Sequence, residues 1–125
     1  AKKYDKPVTI HDPCNVVRGR GLHEKARYVV SQLCDNVVEM HPNRELNYCC
    51  SAGGGVINCG PPYKKKRVTG NRIKAEQLEA TGVPVLIAPC HNCHSGLEDI
   101  VHHYELGMEV KFIIDILYEC LDKGE

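Results

Sequence analysis

Val83-Pro84-Val85-Leu86-Ile87-Ala88-Pro89-Cys90-His91-Asn92-Cys93-His94-Ser95-Gly96 is the stretch that decides the fold. Its first six residues are an almost unbroken apolar run. A strand with one wet face alternates apolar and polar residues. A strand covered on both faces reads as a continuous run, the mark of a parallel sheet between helices. The run stops at Pro89, which has no amide N–H to carry a ladder further. Beyond it, Leu97, Ile100, Val101 and Tyr104 recur one helical turn apart. Cys90 and Cys93 therefore lie between the carboxyl end of a buried strand and the start of a helix.

The same alternation of strand and helix extends in both directions. Pro7-Val8-Thr9-Ile10-His11 reads as a short buried strand, ended by Asp12-Pro13, with Cys14 just past it. From Leu22 to Val38, Leu22, Ala26, Val29, Val30 and Leu33 keep helical spacing, with Cys34 on the same face as a small buried hydrophobe. Asn36-Val37-Val38-Glu39-Met40 is expected to turn that helix into a further strand, leaving through His41-Pro42-Asn43. Leu46-Asn47-Tyr48 leads into Cys49-Cys50, and residues 53–62 are too rich in glycine and proline for regular structure. Lys64-Lys65-Lys66-Arg67 reads as the solvated start of a helix continuing to Ala80, stopped by Gly82. A basic docking face for a partner is the alternative. Glu109–Ile114 is a strand or a strand–helix junction. Ile116, Leu117 and Leu121 mark a closing helix, with Cys120 in the core or on the surface. The expected fold is α/β, a mainly parallel sheet of about four strands flanked by helices.

Sixteen basic residues balance sixteen acidic ones, so nothing points to nucleic acid or an anionic membrane surface. No apolar run approaches the roughly 20 residues of a membrane span. The 125 residues are read as a single domain, 1–125. The opening Ala1-Lys2-Lys3-Tyr4-Asp5-Lys6-Pro7 reads as a linker cut open, so the chain is expected to be a fragment of a longer multidomain protein.

Eight cysteines are many for this length. A disulfide framework suits short, loop-rich secreted chains, whereas this one carries clear helix and strand periods and a Cys-x-x-Cys flanked by histidines. Metal or redox use, in the cytosol, is the better reading. In parallel sheets ligands gather beyond the carboxyl ends of the strands. Cys14 and Cys90 follow two such ends, and Cys49-Cys50 follows a third apolar segment. Topology alone thus converges Cys14, Cys49, Cys50, Cys90 and Cys93. Five thiolates exceed the four of a tetrahedral zinc site or of a cubane iron–sulfur cluster. The triple glycine Gly53-Gly54-Gly55 offers bare backbone to pack over a compact group, and its amides are candidate donors to sulfur. It is not a P-loop, because no lysine–hydroxyl pair follows. His91 and His94 flank the last pair as metal ligands, proton donors or plain surface histidines. Cys59 is a sixth ligand or a free thiol. The remaining histidines, His11 among them, form no evident constellation.

These motifs match a known family. His11-Asp12-Pro13-Cys14, then 34 residues (15–48) to Cys49-Cys50-Ser51-Ala52-Gly53-Gly54-Gly55, then 39 (51–89) to Cys90-x-x-Cys93, resembles the CCG cysteine-rich domain found in the catalytic subunits of heterodisulfide reductase. The likeness spans residues 7–105 and looks nearest to cytoplasmic subunits of membrane redox complexes of sulfate-reducing bacteria. The resemblance implies Cys14, Cys49, Cys50, Cys90 and Cys93 as ligands of a non-cubane four-iron iron–sulfur cluster. It implies an electron-transfer or disulfide-reducing domain, heterodisulfide reductase-like, with other subunits as partners and a disulfide or other sulfur compound as substrate. His91 or His94 would protonate the departing thiolate. Localisation is then cytoplasmic, peripheral to the inner membrane through partner subunits. Two departures stand out: the motif occurs once here rather than twice, and no ferredoxin-type cysteine run feeds electrons in. Some relatives hold zinc instead, so a zinc-stabilised interaction domain and a metal-free thiol–disulfide exchanger at Cys90 and Cys93 are the alternatives.

Overall fold

The apolar run at 83–88 becomes the central strand. In the computed structural model, which describes residues 2–121, β1 (Val8–Ile10), β2 (Val85–Ile87) and β3 (Glu109–Lys111) form a parallel sheet in the order β1-β2-β3. Ile10 pairs with Ile87, and Ile87 with Lys111. Every residue of β1 and β2 is buried, as continuous apolar runs require. The ladder runs one step beyond the strands: His11 N donates to Ile87 O at 2.9 Å, and Ala88 N to Lys111 O at 2.9 Å.

Among the described residues there are six α-helices: α1 (Cys14–Val17), α2 (His23–Leu33), α3 (Pro61–Thr69), α4 (Arg72–Glu79), α5 (His91–His103) and α6 (Ile113–Cys120), of which α2–α6 cover the two faces. Side chains alternate across a strand. Leu86 and Ala88 meet Val68, Ala75, Leu78, Leu97 and Ile100 from α3, α4 and α5. Val8, Ile10, Val85 and Ile87 meet Val30 of α2 and Ile116 and Cys120 of α6. Each of these larger side chains contributes about 1.5–3 kcal/mol on burial, so the two cores are the main source of stability.

The fourth strand is absent among the described residues. Val8 N donates to Asn36 O at 3.0 Å and Val38 N to Val8 O at 2.8 Å, a single parallel bridge at the β1 edge. The chain then leaves the sheet, because Glu39 is drawn to Arg27 at 2.6 Å while Met40 enters the opposite core. The helix expected from residue 22 ends at Leu33, and Cys34 is extended and buried as its C-cap. The predicted helix from 64 to 80 is two helices, broken at Gly70-Asn71 so that the Asn71 side chain is free to reach the Cys49–Ser51 turn. Within the charge run, Lys64, Lys65 and Lys66 are exposed but Arg67 is buried against Asp99 at 2.5 Å. Val29 and Leu121, read as residues of helical apolar faces, are exposed.

Of the opening residues, Tyr4 is packed against the domain while Lys2, Lys3, Asp5 and Lys6 are exposed. Tyr4 is buried, its N–H donating to Leu33 O at 2.7 Å, and Lys2 N donates to Cys120 O at 3.1 Å. Ala1 of that expected linker lies outside the described residues. Among the described residues no helix is long and apolar enough to cross a membrane.

Candidate metal centre

Because β1 and β2 run parallel in register, the chain leaves both at one edge of the sheet. Cys14 opens α1, and Cys90 is the N-cap of α5 with Cys93 in its first turn. Two of the three deliveries follow the topology read from the sequence. The third does not. Among the described residues no strand leads directly into Cys49-Cys50; a short 3₁₀ turn at Arg44–Leu46 does, and Leu46 is exposed.

Polar contacts hold the pair instead. Asn71 Nδ2 donates to Cys49 O at 2.8 Å and lies 2.5 Å from Ser51 Oγ. Ser51 takes a left-handed conformation, φ 63°, that directs its N–H to Cys49 Sγ at 3.3 Å. From the other side α5 packs onto this turn at Gly96. A Cβ there would lie 2.5 Å from Ala52 Cβ and 3.1 Å from Cys50 O, so only glycine permits the approach. Gly54 and Gly55 have φ 64° and 80°, conformations glycine adopts without strain, and they turn the chain into a second 3₁₀ turn at Val56–Asn58.

The result is a pocket of about 130 Å³ lined by Cys14, Cys49, Cys50, Cys90 and Cys93, with Gly53 and Gly54 in its wall. Cys59 is not in the lining; its Sγ sits 3.6 Å from Gly55 O. Cys34 and Cys120 are buried in the core on the other side of the sheet. All eight cysteines are free thiols. A larger cleft of about 510 Å³ lies by Lys2–Lys6 and Glu119. It has no comparable set of convergent thiols, so size and chemistry point to different places and the chemistry is the better guide.

Cys50 and Cys93, both buried, bring their sulfurs to 3.2 Å. At that distance one proton serves both. The contact with Cys93, and then the His11 ring beside it, hold the Cys50 thiol well below its ordinary range, and the same coupling with burial pushes Cys93 up. Burial pushes Cys49 up, partly offset by the Ser51 N–H. A ring nitrogen of His11 and the two sulfurs all lie within 4.8 Å of one another. His11 is buried and held to about 4 by that burial and by the charge of Lys74, so it is neutral.

Lys74 is completely buried in α4. It donates to Gln77 Oε1 at 2.6 Å and to Asn47 Oδ1 at 3.2 Å, and Asn47 Nδ2 meets His11 Nδ1 at 3.3 Å. Burial lowers Lys74 to about 7, against the pull of Cys50 and the other nearby anions. Sequence reading missed this network. A signal existed for His11: it shares the strand phase of Thr9, opposite Val8 and Ile10. Lys74 and Asn47 carried none, since helix and loop positions of those types are usually exposed. On the first turn's far side, Asp12 accepts from Arg27 Nη1 and Nη2 at 2.7 Å and from Arg44 N at 2.7 Å, bracing the loop before Cys14.

Neither histidine of the Cys-x-x-Cys lines the pocket. His91 is exposed and His94 half-buried. The His94 ring stacks on Phe112 at 4.1 Å, with Nε2 3.1 Å from Val110 O and Nδ1 3.5 Å from Glu98. The metal-ligating set of the pocket lining is five cysteine sulfurs, with Asn15 and Asn92 beside them. It fits an iron–sulfur group, which is held by thiolates, and four of the five fit zinc.

Comparison with known proteins agrees with this geometry. The profile of the CCG "Cysteine-rich domain" matches residues 8–98. The chain is 36% identical over 121 residues to a dihydromethanophenazine:CoB–CoM heterodisulfide reductase subunit of Methanosarcina acetivorans, covering 96% of this chain and 29% of that protein. It is 33% identical over 107 residues to the Hdr-like menaquinol oxidoreductase iron-sulfur subunit of Archaeoglobus profundus, covering 82% and 19%. It is 28% identical over 122 residues to a fumarate reductase (CoM/CoB) subunit of Methanothermobacter marburgensis, covering 94% and 24%. The chain thus spans less than a third of these curated relatives. No solved structure matches. Five thiols delivered by three separate segments to one sheet edge, together with a profile match over most of the chain, establish that the chain belongs to the CCG cysteine-rich domain family.

Proposed function

We propose that this domain binds an iron–sulfur cluster through Cys14, Cys49, Cys50, Cys90 and Cys93 and transfers electrons within a larger redox complex. The observation that carries the reading is the five-thiol pocket, with every other cysteine outside it. Relatives named as iron-sulfur, heterodisulfide reductase and fumarate reductase subunits support it. Five ligands exceed the four of a cubane, which favours a four-iron cluster of non-cubane form. Partner subunits or domains supply the electrons, and the proposed substrate is a disulfide. Two electrons delivered to that disulfide break its S–S bond and leave two thiolates. His91, next to Cys90 in the chain and exposed outside the pocket lining with its ring 6.0 Å from that of Phe112, is the proposed proton donor to the departing one; His94 is engaged at Val110 and Glu98. The proposed setting is the cytoplasmic face of a membrane complex, reached through partners.

A zinc reading has one observation in its favour. The Cys50 and Cys93 sulfurs and a His11 nitrogen are spaced as compactly as ligands of a single ion. Anaerobic reconstitution with iron and sulfide, followed by metal and sulfide analysis of the wild type and of each Cys→Ser variant, separates the two. The cluster reading predicts bound iron and sulfide, lost on substitution of any of the five and retained in Cys59→Ser. Tight binding of one zinc, no iron, and tolerance of one substitution among the five would overturn it.

A further inference from the structure

His11 enters the site from behind. It follows β1 in the phase of Thr9, so it projects into the face that holds Cys50 and Cys93. Its side chain is almost wholly buried, and among the described residues its Nε2 has no hydrogen-bond partner. An unpartnered buried ring nitrogen is costly unless something meets it. A ring nitrogen of His11 and the sulfurs of Cys50 and Cys93 lie within 4.8 Å of one another, and with Nδ1 turned to Asn47 at 3.3 Å, Nε2 is the nitrogen without a partner of its own.

Which ring nitrogen carries the proton follows from Asn47. Its Oδ1 lies 3.2 Å from Lys74 Nζ, 3.0 Å from Gln77 Nε2 and 3.0 Å from Tyr48 N, all donors. Three donors on one oxygen fix which end of the amide is which. The Asn47 NH₂ must then be the end that faces His11 Nδ1 at 3.3 Å and the Asp12 carbonyl at 3.4 Å. Two donors cannot face each other, so Nδ1 is an acceptor. In a neutral ring the proton is then on Nε2. A protonated Nε2 has no lone pair for a metal, so in this tautomer that nitrogen can donate but cannot ligate.

We propose that His11 is a fixed N–H donor to the sulfurs of Cys50 and Cys93, its tautomer set by Asn47, and that it raises the reduction potential of the cluster those thiolates hold. The inference rests on the cluster reading above for its second half only. A donor aimed at ligand sulfur favours the reduced, more negative state, one of the main means by which a protein tunes such a cluster. His11 is therefore a positioning and tuning residue rather than a catalytic one.

Long-range ¹H–¹⁵N spectra of the histidines in the labelled metal-free domain read the tautomer directly. Protonation of His11 at Nε2 is expected, and an Nδ1–H tautomer overturns the proposal whether or not a cluster forms. In the cluster-loaded domain, the potential is then compared among wild type, His11→Phe and Asn47→Asp. His11→Phe removes the donor. Asn47→Asp places an acceptor at Nδ1, reverses the tautomer and turns a lone pair toward the sulfurs. Both should lower the potential by about tenfold in the redox equilibrium, 59 mV for one electron. An unchanged potential in both variants refutes the tuning role. Absence of any cluster in the wild type refutes the functional reading instead, and the tautomer still decides the donor.

Discussion

Substituting Gly96 by alanine tests how the site is assembled. The new Cβ would lie 2.5 Å from Ala52 Cβ and 3.1 Å from Cys50 O. Carbon atoms pack at roughly 3.5–4 Å, so α5 and the Cys50–Ala52 turn must separate by about 1 Å. Ala52 is fully buried, and the second contact is backbone, so neither neighbour gives way by a rotamer change. Overpacking of this kind costs about 1–3 kcal/mol. The better helix propensity of alanine returns at most about 1 kcal/mol. With the full return the expected net loss is therefore about 0–2 kcal/mol, or a Tm lower by up to about 8 °C for a domain of this size. Because Cys93 rides on α5 and Cys50 on the turn, the same displacement opens the thiol pocket, and iron uptake should fall. Thermal unfolding of the metal-free domain and iron analysis after reconstitution read the two effects separately. Removing the opposing methyl isolates the contact: Ala52→Gly combined with Gly96→Ala should be more stable than the sum of the two single losses by about 1 kcal/mol or more. Wild-type stability and wild-type iron content in Gly96→Ala would falsify the close-approach argument.

Two further outcomes follow from the brace around Cys14. Arg27 is shared by Asp12 and Glu39 at 2.6–2.9 Å, and its side chain is 10% exposed. Arg27→Met strands two carboxylates and should cost about 3–5 kcal/mol in chemical denaturation; a loss under about 1 kcal/mol would mean the ion pairs contribute little. Burial tends to raise the Asp12 carboxyl, but the hydrogen bonds from Arg27 and Arg44 outweigh it and hold Asp12 below its ordinary value. Its contribution is therefore present above the unfolded pKa near 3.8 and is lost as pH falls through the lower folded value. Asp12→Asn should flatten this part of the acid limb of the stability profile, measured on the metal-free domain between pH 5 and 2; an unchanged acid limb would contradict the assignment.

The amino-acid sequence by itself determined the α/β class, the buried parallel strands at Val8–Ile10 and Val85–Ile87, and the five cysteines that meet. It did so because period and apolar runs report burial locally, and because parallel strands must release their chains at one edge. It overcalled the sheet at Asn36–Met40, where the β-branched residues suit a strand but Glu39 finds Arg27 and Met40 finds the opposite core. It also ran one helix through Gly70-Asn71, since nothing local announces that an asparagine is needed by a turn some 20 residues away. The triple glycine was legible as a special backbone, but its φ values show that it shapes a turn as well as walling the pocket. Gly96 carried no such mark, because close approach is a property of two segments and not of one.

Only the tertiary structure decided what stands behind the thiols. Lys74, Asn47 and His11 come from a helix, a loop and a strand end, and each alone resembles an ordinary surface or core residue. Their meaning lies in hydrogen bonds that exist only once α4, the Cys49-Cys50 turn and β1 are packed together. Ligand cysteines are visible in a sequence because their chemistry is intrinsic to the residue. The groups that orient and tune them act through direction and distance, which only the folded chain supplies.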